Sequence, residues 1–437
     1  MLYILLISII LIIMISYFFN SKEIISPTII LSSGYLISVL VAILNINNWG
    51  DIRYNTLFII LISIITFFIG ELFGSEVSKK VSKNYNNTET KQIFIISRKQ
   101  IFVISIFMIY IAYIYFRYTY NLSKLGGNPG GIFNMLSYAR LVDASDSEFE
   151  KIGFVLKYGL YFSRAYTYFV LYCIIHNYFT CGSKKIPRYQ VVPIIIYIVQ
   201  SILSTGRTQI MYIIIYTFML SVIHMKIKNN WSNKNDYKIF KRAIVVIVLI
   251  LGMFWIIDMT LRGSIYGTSR DLLSTLSKYI SSSLIAFDYF VNNLVVTESF
   301  GKETLYNFCS LLNRFGFDFK IYSSALEFTT FSGVSTNIYT ALRRYIHDFG
   351  ILGMLLIQFM QGFIYAYYFN SIKYKRRIGK RLLFYCMLIY PVFFSFIEER
   401  FFTNILSLPT LAVVFFIIVI WRFRKVKVYE EVEDGIV

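Results

Sequence analysis

The stretch at residues 2–19, LYILLISIILIIMISYFF, contains no charged residue, no proline and no glycine. Wound as a helix at about 1.5 Å per residue it reaches about 27 Å, close to the roughly 30 Å hydrocarbon core of a bilayer. In lipid, a helix satisfies each backbone N–H and C=O within the segment itself. No basic residue precedes the run, and no small-x-small site follows it before Lys22. It therefore reads as a retained span and not as a cleaved signal. Residues 27–44, 244–257 and 401–421 are likewise apolar and uncharged. Runs of this kind cannot all find room in one soluble core. The chain is 57% hydrophobic and 15% charged, against about 25% charged in soluble domains.

A net charge of +19 raises the question of nucleic acid, and the distribution answers it. Basic residues alternate with the apolar runs. One set of loops and tails, from Lys22 through Lys79–Lys99, Lys184–Arg188, Lys226–Arg242 and Lys373–Arg381 to Arg422–Lys427, holds 26 basic against nine acidic residues. That leaves +17 of the total on one face. Between Asp258 and Asp348 the chain has eight basic and eight acidic residues. The rich side is cytoplasmic by the positive-inside rule, which excludes nucleic acid as the partner.

The expected fold is an all-α polytopic membrane protein, one membrane domain over 1–437, with about eleven spans. They fall near 2–19, 26–45, 54–74, 101–117, 158–180, 190–204, 208–224, 243–260, 348–370, 382–397 and 402–421. The N-terminus faces outward and the C-terminus the cytoplasm. Two long extracytoplasmic segments result, 118–157 and 261–347. Within the second, 272–297 is amphipathic and either lies along the membrane or re-enters it. Cys173, Cys181, Cys309 and Cys386 show no metal or disulfide spacing. No cofactor or metal is expected. The acidic run Asp143, Asp146, Glu148, Glu150 lacks ligand spacing and a His, and reads as solvated.

Charged groups at the membrane edge are expensive and point to function. Arg207 sits in the turn Ser204-Thr205-Gly206-Arg207-Thr208, after a helix of about 15 residues, or about 22 Å. The turn therefore falls below the outer surface, beside a cavity; the competing reading is an arginine reaching the headgroups. Arg164 lies well inside a span and must pair or face water. Asp258 and Arg262 are four apart, as an ion pair or as a ligand site beside Gly263. Arg343, Arg344, His347 and Asp348 precede the ninth span, with Arg343/His347 and Arg344/Asp348 on shared faces. Forked guanidiniums match a diphosphate, and His347 and Asp348 are proton acceptors by type. Glu398 and Glu399 stand in a short outward turn, as a base or as solvated charges. Together these arginines suit an anionic headgroup on a lipid tail.

Several short segments resemble the Wzy-type polymerases, which join oligosaccharide repeat units in bacterial O-antigen and capsule assembly. The matching pieces are Ser204-Thr205-Gly206-Arg207-Thr208 and Arg262-Gly263. Leu276-Ser277-Lys278-Tyr279 and Phe287-Asp288 follow. The last are Asn337-Ile338-Tyr339-Thr340 and His347-Asp348-Phe349-Gly350-Ile351-Leu352-Gly353. The resemblance covers mainly 200–370. It implies a lipid-linked glycosyltransferase of the GT-C-like type in the bacterial cytoplasmic membrane. Donor and acceptor would both be undecaprenyl-diphosphate-linked oligosaccharides, with undecaprenyl diphosphate leaving. Arg207 and Arg262 would hold the diphosphate, Arg343 or Arg344 assisting and Arg164 lining the site. Asp348 would manage the hydroxyl proton, with His347 and Glu398 as further candidates that rest on spacing, and Tyr279 and Asp288 would bind sugar. Such a polymerase works beside a flippase and a chain-length regulator. Rival readings are a lipid-linked oligosaccharide flippase, for which no internal duplication is visible, and an O-antigen-type ligase with the same donor. An ion-coupled transporter would place acidic residues mid-span, where this chain has few.

Overall fold

The computed structural model describes residues 1–82, 92–127, 130–144, 152–182, 187–204, 206, 208–266, 272–293, 300–320, 325–375 and 379–428. In chain order the first helices are α1 (Leu2–Phe19), α2 (Pro27–Leu44), α3 (Ile46–Trp49) and α4 (Tyr54–Ser82). Strand β1 (Gln92–Ile95) precedes α5 (Arg98–Gly126), α6 (Ile132–Ala144), α7 (Phe154–Cys181), α8 (Val192–Leu203), α9 (Thr208–Lys228) and α10 (Asp236–Tyr266). Then come α11 (Leu272–Asn292), α12 (Tyr306–Asn313), β2 (Thr329–Phe331), β3 (Val334–Thr336) and α13 (Ala341–Lys375). Last are α14 (Lys380–Leu388), α15 (Tyr390–Phe394), a π-turn at Phe401–Ile405, α16 (Leu408–Arg422) and β4 (Lys425–Val428). Among the described residues, six helices are long and apolar enough to cross a membrane: α1, α2, α4, α5, α9 and α13. The chain is a predominantly α-helical membrane protein.

Element positions follow the apolar runs, but the ends do not. Helix α4 continues to Ser82, past the expected end at 74, and α5 covers Arg98–Gly126 where 101–117 was expected. Hydropathy marks the thickness of the lipid, and a helix need not stop there. Helix α6 lies inside the expected loop 118–157. The expected span 382–397 is two short helices, α14 and α15. Pro391 explains the interruption, since it lacks an N–H and its ring clashes with the carbonyl four residues back.

The structure forms two compact units. One contains α1–α4, α11–α15 and the β2–β3 hairpin. Its centre is the contact of α4 with α13. A Cβ on Gly70 would lie 2.1 Å from the Phe359 carbonyl oxygen, one on Gly74 2.3 Å from that of Phe363, and one on Gly362 2.0 Å from that of Phe67. Backbone therefore meets backbone, the close approach that small residues permit between membrane helices. The pairings 70–359 and 74–363 rise together, so the two helices run parallel. Glu71 of α4 accepts the Thr28 N–H at 2.8 Å, satisfying a donor at the start of α2. Helix α11 packs in this unit through a buried polar run: Ser281 donates to the Ser38 carbonyl and Ser283 to that of Phe396, each at 2.8 Å.

The other unit contains β1, α5–α10, β4 and α16 from Ala412 onward. β1 pairs antiparallel with β4, Gln92 opposite Val428 and Ile95 opposite Lys425. Two of the basic segments assigned to one side thus meet directly. Asn177 of α7 holds this sheet, accepting the Phe94 N–H at 3.0 Å and donating to its carbonyl at 2.7 Å. His176 bonds the Gln92 carbonyl at 2.8 Å. Gln200 of α8 donates to the Met108 carbonyl of α5 at 2.8 Å.

Candidate functional site

Helix α13 is broken where the sequence turns from charged to apolar. Gly350 has φ +68° and ψ −177°, a conformation open chiefly to glycine. The break separates a head, Ala341–Phe349, from the long apolar run that follows. The first N–H of the head, on Ala341, donates to the Ser395 carbonyl at 2.8 Å. Arg343, Arg344, His347 and Asp348 all stand on this head.

Arg343 is 1% exposed. Its Nη1 donates to Glu303 and its Nη2 to Glu327, the latter at 2.5 Å. The guanidinium lies over the rings of Phe290 at 5.0 Å and Tyr339 at 5.3 Å. Charge and ring faces together balance the cost of burying it. Arg344 donates to the Glu303 carbonyl at 2.9 Å and lies 5.6 Å from the ring centroid of Tyr306. Burial pushes the Tyr306 phenol up, against the opposing pull of Arg344 and Arg400.

The segment around Glu303 wraps this head because Asp348 holds it there. Asp348 accepts the Glu303 N–H at 3.0 Å and the Thr304 N–H at 2.6 Å. Thr304 returns a hydroxyl bond to the Arg344 carbonyl at 3.2 Å. His347 Nδ1 stands 3.4 Å from Glu303 Oε1 and 3.4 Å from Asp348 Oδ1. With two carboxylate acceptors on that side, Nδ1 is the nitrogen that donates toward them.

Glu327 arrives from the other side on the β2–β3 hairpin. The hairpin turns at Ser332 and Gly333, both with positive φ, as a type I′ turn requires. Tyr339 closes the base, donating to the Glu327 carbonyl at 3.1 Å and meeting the Thr329 hydroxyl at 2.5 Å. The Glu327 side chain remains 59% exposed. Partial burial raises its carboxyl, but the Arg343 bond and charge outweigh that, and the net shift is downward.

Of the neighbouring acids Glu398 and Glu399, Glu399 is the buried one. It accepts the Tyr345 hydroxyl at 2.9 Å and the N–H groups of Phe402 and Thr403 at 2.7 and 3.0 Å, anchoring the π-turn. Glu398 pairs with Arg400 nearby in sequence. Asp288 is buried and accepts the Arg53 N–H at 2.7 Å, just ahead of α4. Tyr279 is half-buried on α11. Arg164 belongs to the other unit, buried on α7 with the rings of Tyr168 and Tyr212 at 5.7 and 5.4 Å. Arg262 lies on α10, but its side chain falls outside the described residues, as does the whole of Arg207.

The structure thus gathers Arg343, Arg344, His347 and Asp348 into one site and adds Glu303 and Glu327, which helix spacing alone does not reveal. The balance of eight basic and eight acidic residues between Asp258 and Asp348 was the available signal. Buried guanidiniums need carboxylates, and the same segment supplies them. With two guanidiniums and three carboxylates so placed, Arg343 is already paired, and an incoming anion reaches its fork only by displacing a carboxylate. Glu327, the exposed partner, is the one that can leave.

Fold and site define a helical membrane protein with a buried ionic cluster at the head of a broken helix. No protein-family model, curated protein or solved structure matches the chain.

Proposed function

We propose that this chain is a polysaccharide polymerase of the Wzy kind, acting at the outer face of a bacterial cytoplasmic membrane. The observation that carries the reading is the cluster on the head of α13, where arginines, carboxylates and His347 meet. It coincides with the segment whose sequence resembles those polymerases. In the proposed reaction a sugar hydroxyl of an undecaprenyl-diphosphate-linked repeat unit attacks the anomeric carbon of the growing chain. A new C–O bond forms, the bond from that carbon to the diphosphate breaks, and undecaprenyl diphosphate departs. The hydroxyl proton passes to His347 Nε2, with Glu303 and Asp348 fixing the ring. Arg344 holds the diphosphate, joined by Arg343 once Glu327 withdraws; for Arg207 and Arg262 the same role is carried by the sequence resemblance alone. Guanidiniums stabilise the charge that develops on the leaving group. Tyr279 and Asp288 serve the sugar, Asp288 also securing the start of α4, and Glu398 with Arg400 borders the site.

The test is the length distribution of lipid-linked glycan in cells carrying wild type, His347→Ala, Arg207→Ala or Arg207→Lys. Loss of long chains in all three variants, at unchanged protein abundance and with single repeat units still reaching the outer surface, supports the reading. Arg207→Lys fails because a point charge lacks the planar fork. Repeat units trapped on the cytoplasmic side would indicate a flippase. Full-length chains that fail only to reach their final acceptor would indicate a ligase.

A further inference from the structure

Helix α12 ends in the sequence Asn313-Arg314-Phe315-Gly316-Phe317-Asp318-Phe319-Lys320, and everything after Asn313 is exposed. The three phenylalanines are 74%, 56% and 43% exposed in chain order. Apolar side chains so concentrated in a short exposed segment mark a contact with something apolar. The loop that presents them is nevertheless well built. Asn313 donates to the Phe319 carbonyl and accepts the Phe319 N–H, both at 2.8 Å. The Phe315 N–H bonds the Leu312 carbonyl at 2.8 Å, and the Gly316 N–H that of Asn313 at 3.2 Å. Gly316 takes the turn at φ +94°.

This loop satisfies several of its own backbone groups, which lowers the cost of moving it from water into the lipid–water interface. The rings of Phe317 and Phe319 stack with centroids 6.0 Å apart, so they share one side of the loop. Arg314 and Lys320 bracket the rings. Apolar rings flanked by cations match the layering of a bilayer surface, acyl chains beneath phosphates. A protein partner would have no need of both cations at the rim, and the helices of this chain already set it in a bilayer.

We propose that residues 313–320 form a wedge seated in the lipid–water interface, with Phe315, Phe317 and Phe319 among the acyl chains and Arg314 and Lys320 against the phosphates. The full-length protein carrying Phe317→Cys is labelled with a nitroxide and placed in lipid nanodiscs, with labelled wild type as the blank for the native cysteines. Collision with oxygen, enriched in lipid, is compared with collision with a water-soluble nickel chelate. The expected result is a depth ratio of the lipid sign, which shifts toward water in the Arg314→Glu/Lys320→Glu background when the discs contain phosphatidylglycerol. A ratio of the water sign overturns the proposal. So does a label that is water-exposed in discs and becomes shielded only on adding soluble glycan, which would make the rings a carbohydrate platform. A lipid-sign ratio indifferent to the charge reversal overturns the role of the two cations.

Discussion

Arg343 and Glu327 meet at 2.5 Å, yet they stand to lose different amounts. Arg343 is 1% exposed, and its removal takes the guanidinium partner from Glu303, whose side chain is largely enclosed, a loss of about 3–5 kcal/mol for buried pairs. Glu327 has a side chain 59% exposed, where water screens the pair and replacement costs at most ~1 kcal/mol. Thermal unfolding in detergent should therefore show Arg343→Ala melting far below wild type and Glu327→Gln close to it; equal losses would mean that Glu327 is as embedded as Arg343. The same pair sets a pH dependence. The Glu327 carboxyl lies below its ordinary value of 4.5 in the fold. Its contribution is thus complete above the unfolded value and is lost as pH falls through the lowered one. Melting temperature against pH should drop on the acid side in wild type, and that part of the drop should be absent in Glu327→Gln. The arginines, His347 and Asp348 were legible because helix spacing places them together. Glu303 and Glu327 were not, since they come from loops whose path depends on tertiary bonds: Asp348 to the 303–304 backbone, and Tyr339 to the hairpin base.

Two kinds of glycine in the long helices separate conformation from contact. At Gly350 an added Cβ meets nothing within 4 Å, so the penalty is the positive φ alone, about 1–2 kcal/mol for an L-residue. At Gly70 and Gly362 the added Cβ would strike a carbonyl oxygen of the opposing helix, and neither backbone can yield without parting the pair. Gly362→Ala should consequently lower the melting temperature more than Gly350→Ala, whereas Gly350→Ala should act on glycan extension by straightening the head of α13. An inverse ranking of the two melting temperatures would show that the break, not the α4–α13 contact, holds this unit together. Apolar runs betrayed where α4 and α13 lie, because membrane thickness writes itself into hydropathy. That the two helices pair was hidden, since Gly70-x-x-x-Gly74 needs a partner nearly 300 residues on, and no local pattern in the chain names it. The division at Pro391 could be read from the chain itself, and the merging of 382–397 into one span overlooked it.

At the scale of the molecule, charge pattern and geometry make one joint prediction about sidedness. Helices α4 and α13 run parallel, and their C-terminal ends carry Lys79, Lys80 and Lys373. Cysteines introduced at Lys80 and at Lys373 should react with an impermeant maleimide only after the cell is opened, whereas one at Tyr54 should react from outside. Opposite behaviour of Lys80 and Lys373 would contradict the parallel packing itself. The membrane class was plain from composition, and several loops were assigned to a side by counting lysines and arginines; the β1–β4 pairing joins two of those loops. What composition lacks is any record of how the chain divides, because the unit centred on α4 and α13 is assembled from both ends of the sequence. That arrangement has a consequence for biosynthesis. A ribosome delivers α4 to the bilayer while most of the polypeptide is still untranslated. Until α13 emerges, Gly70 and Gly74 face lipid or a provisional neighbour, and a nascent protein halted before residue 341 carries an unfilled groove, ready to be recognised as unfinished by whatever surveys the membrane.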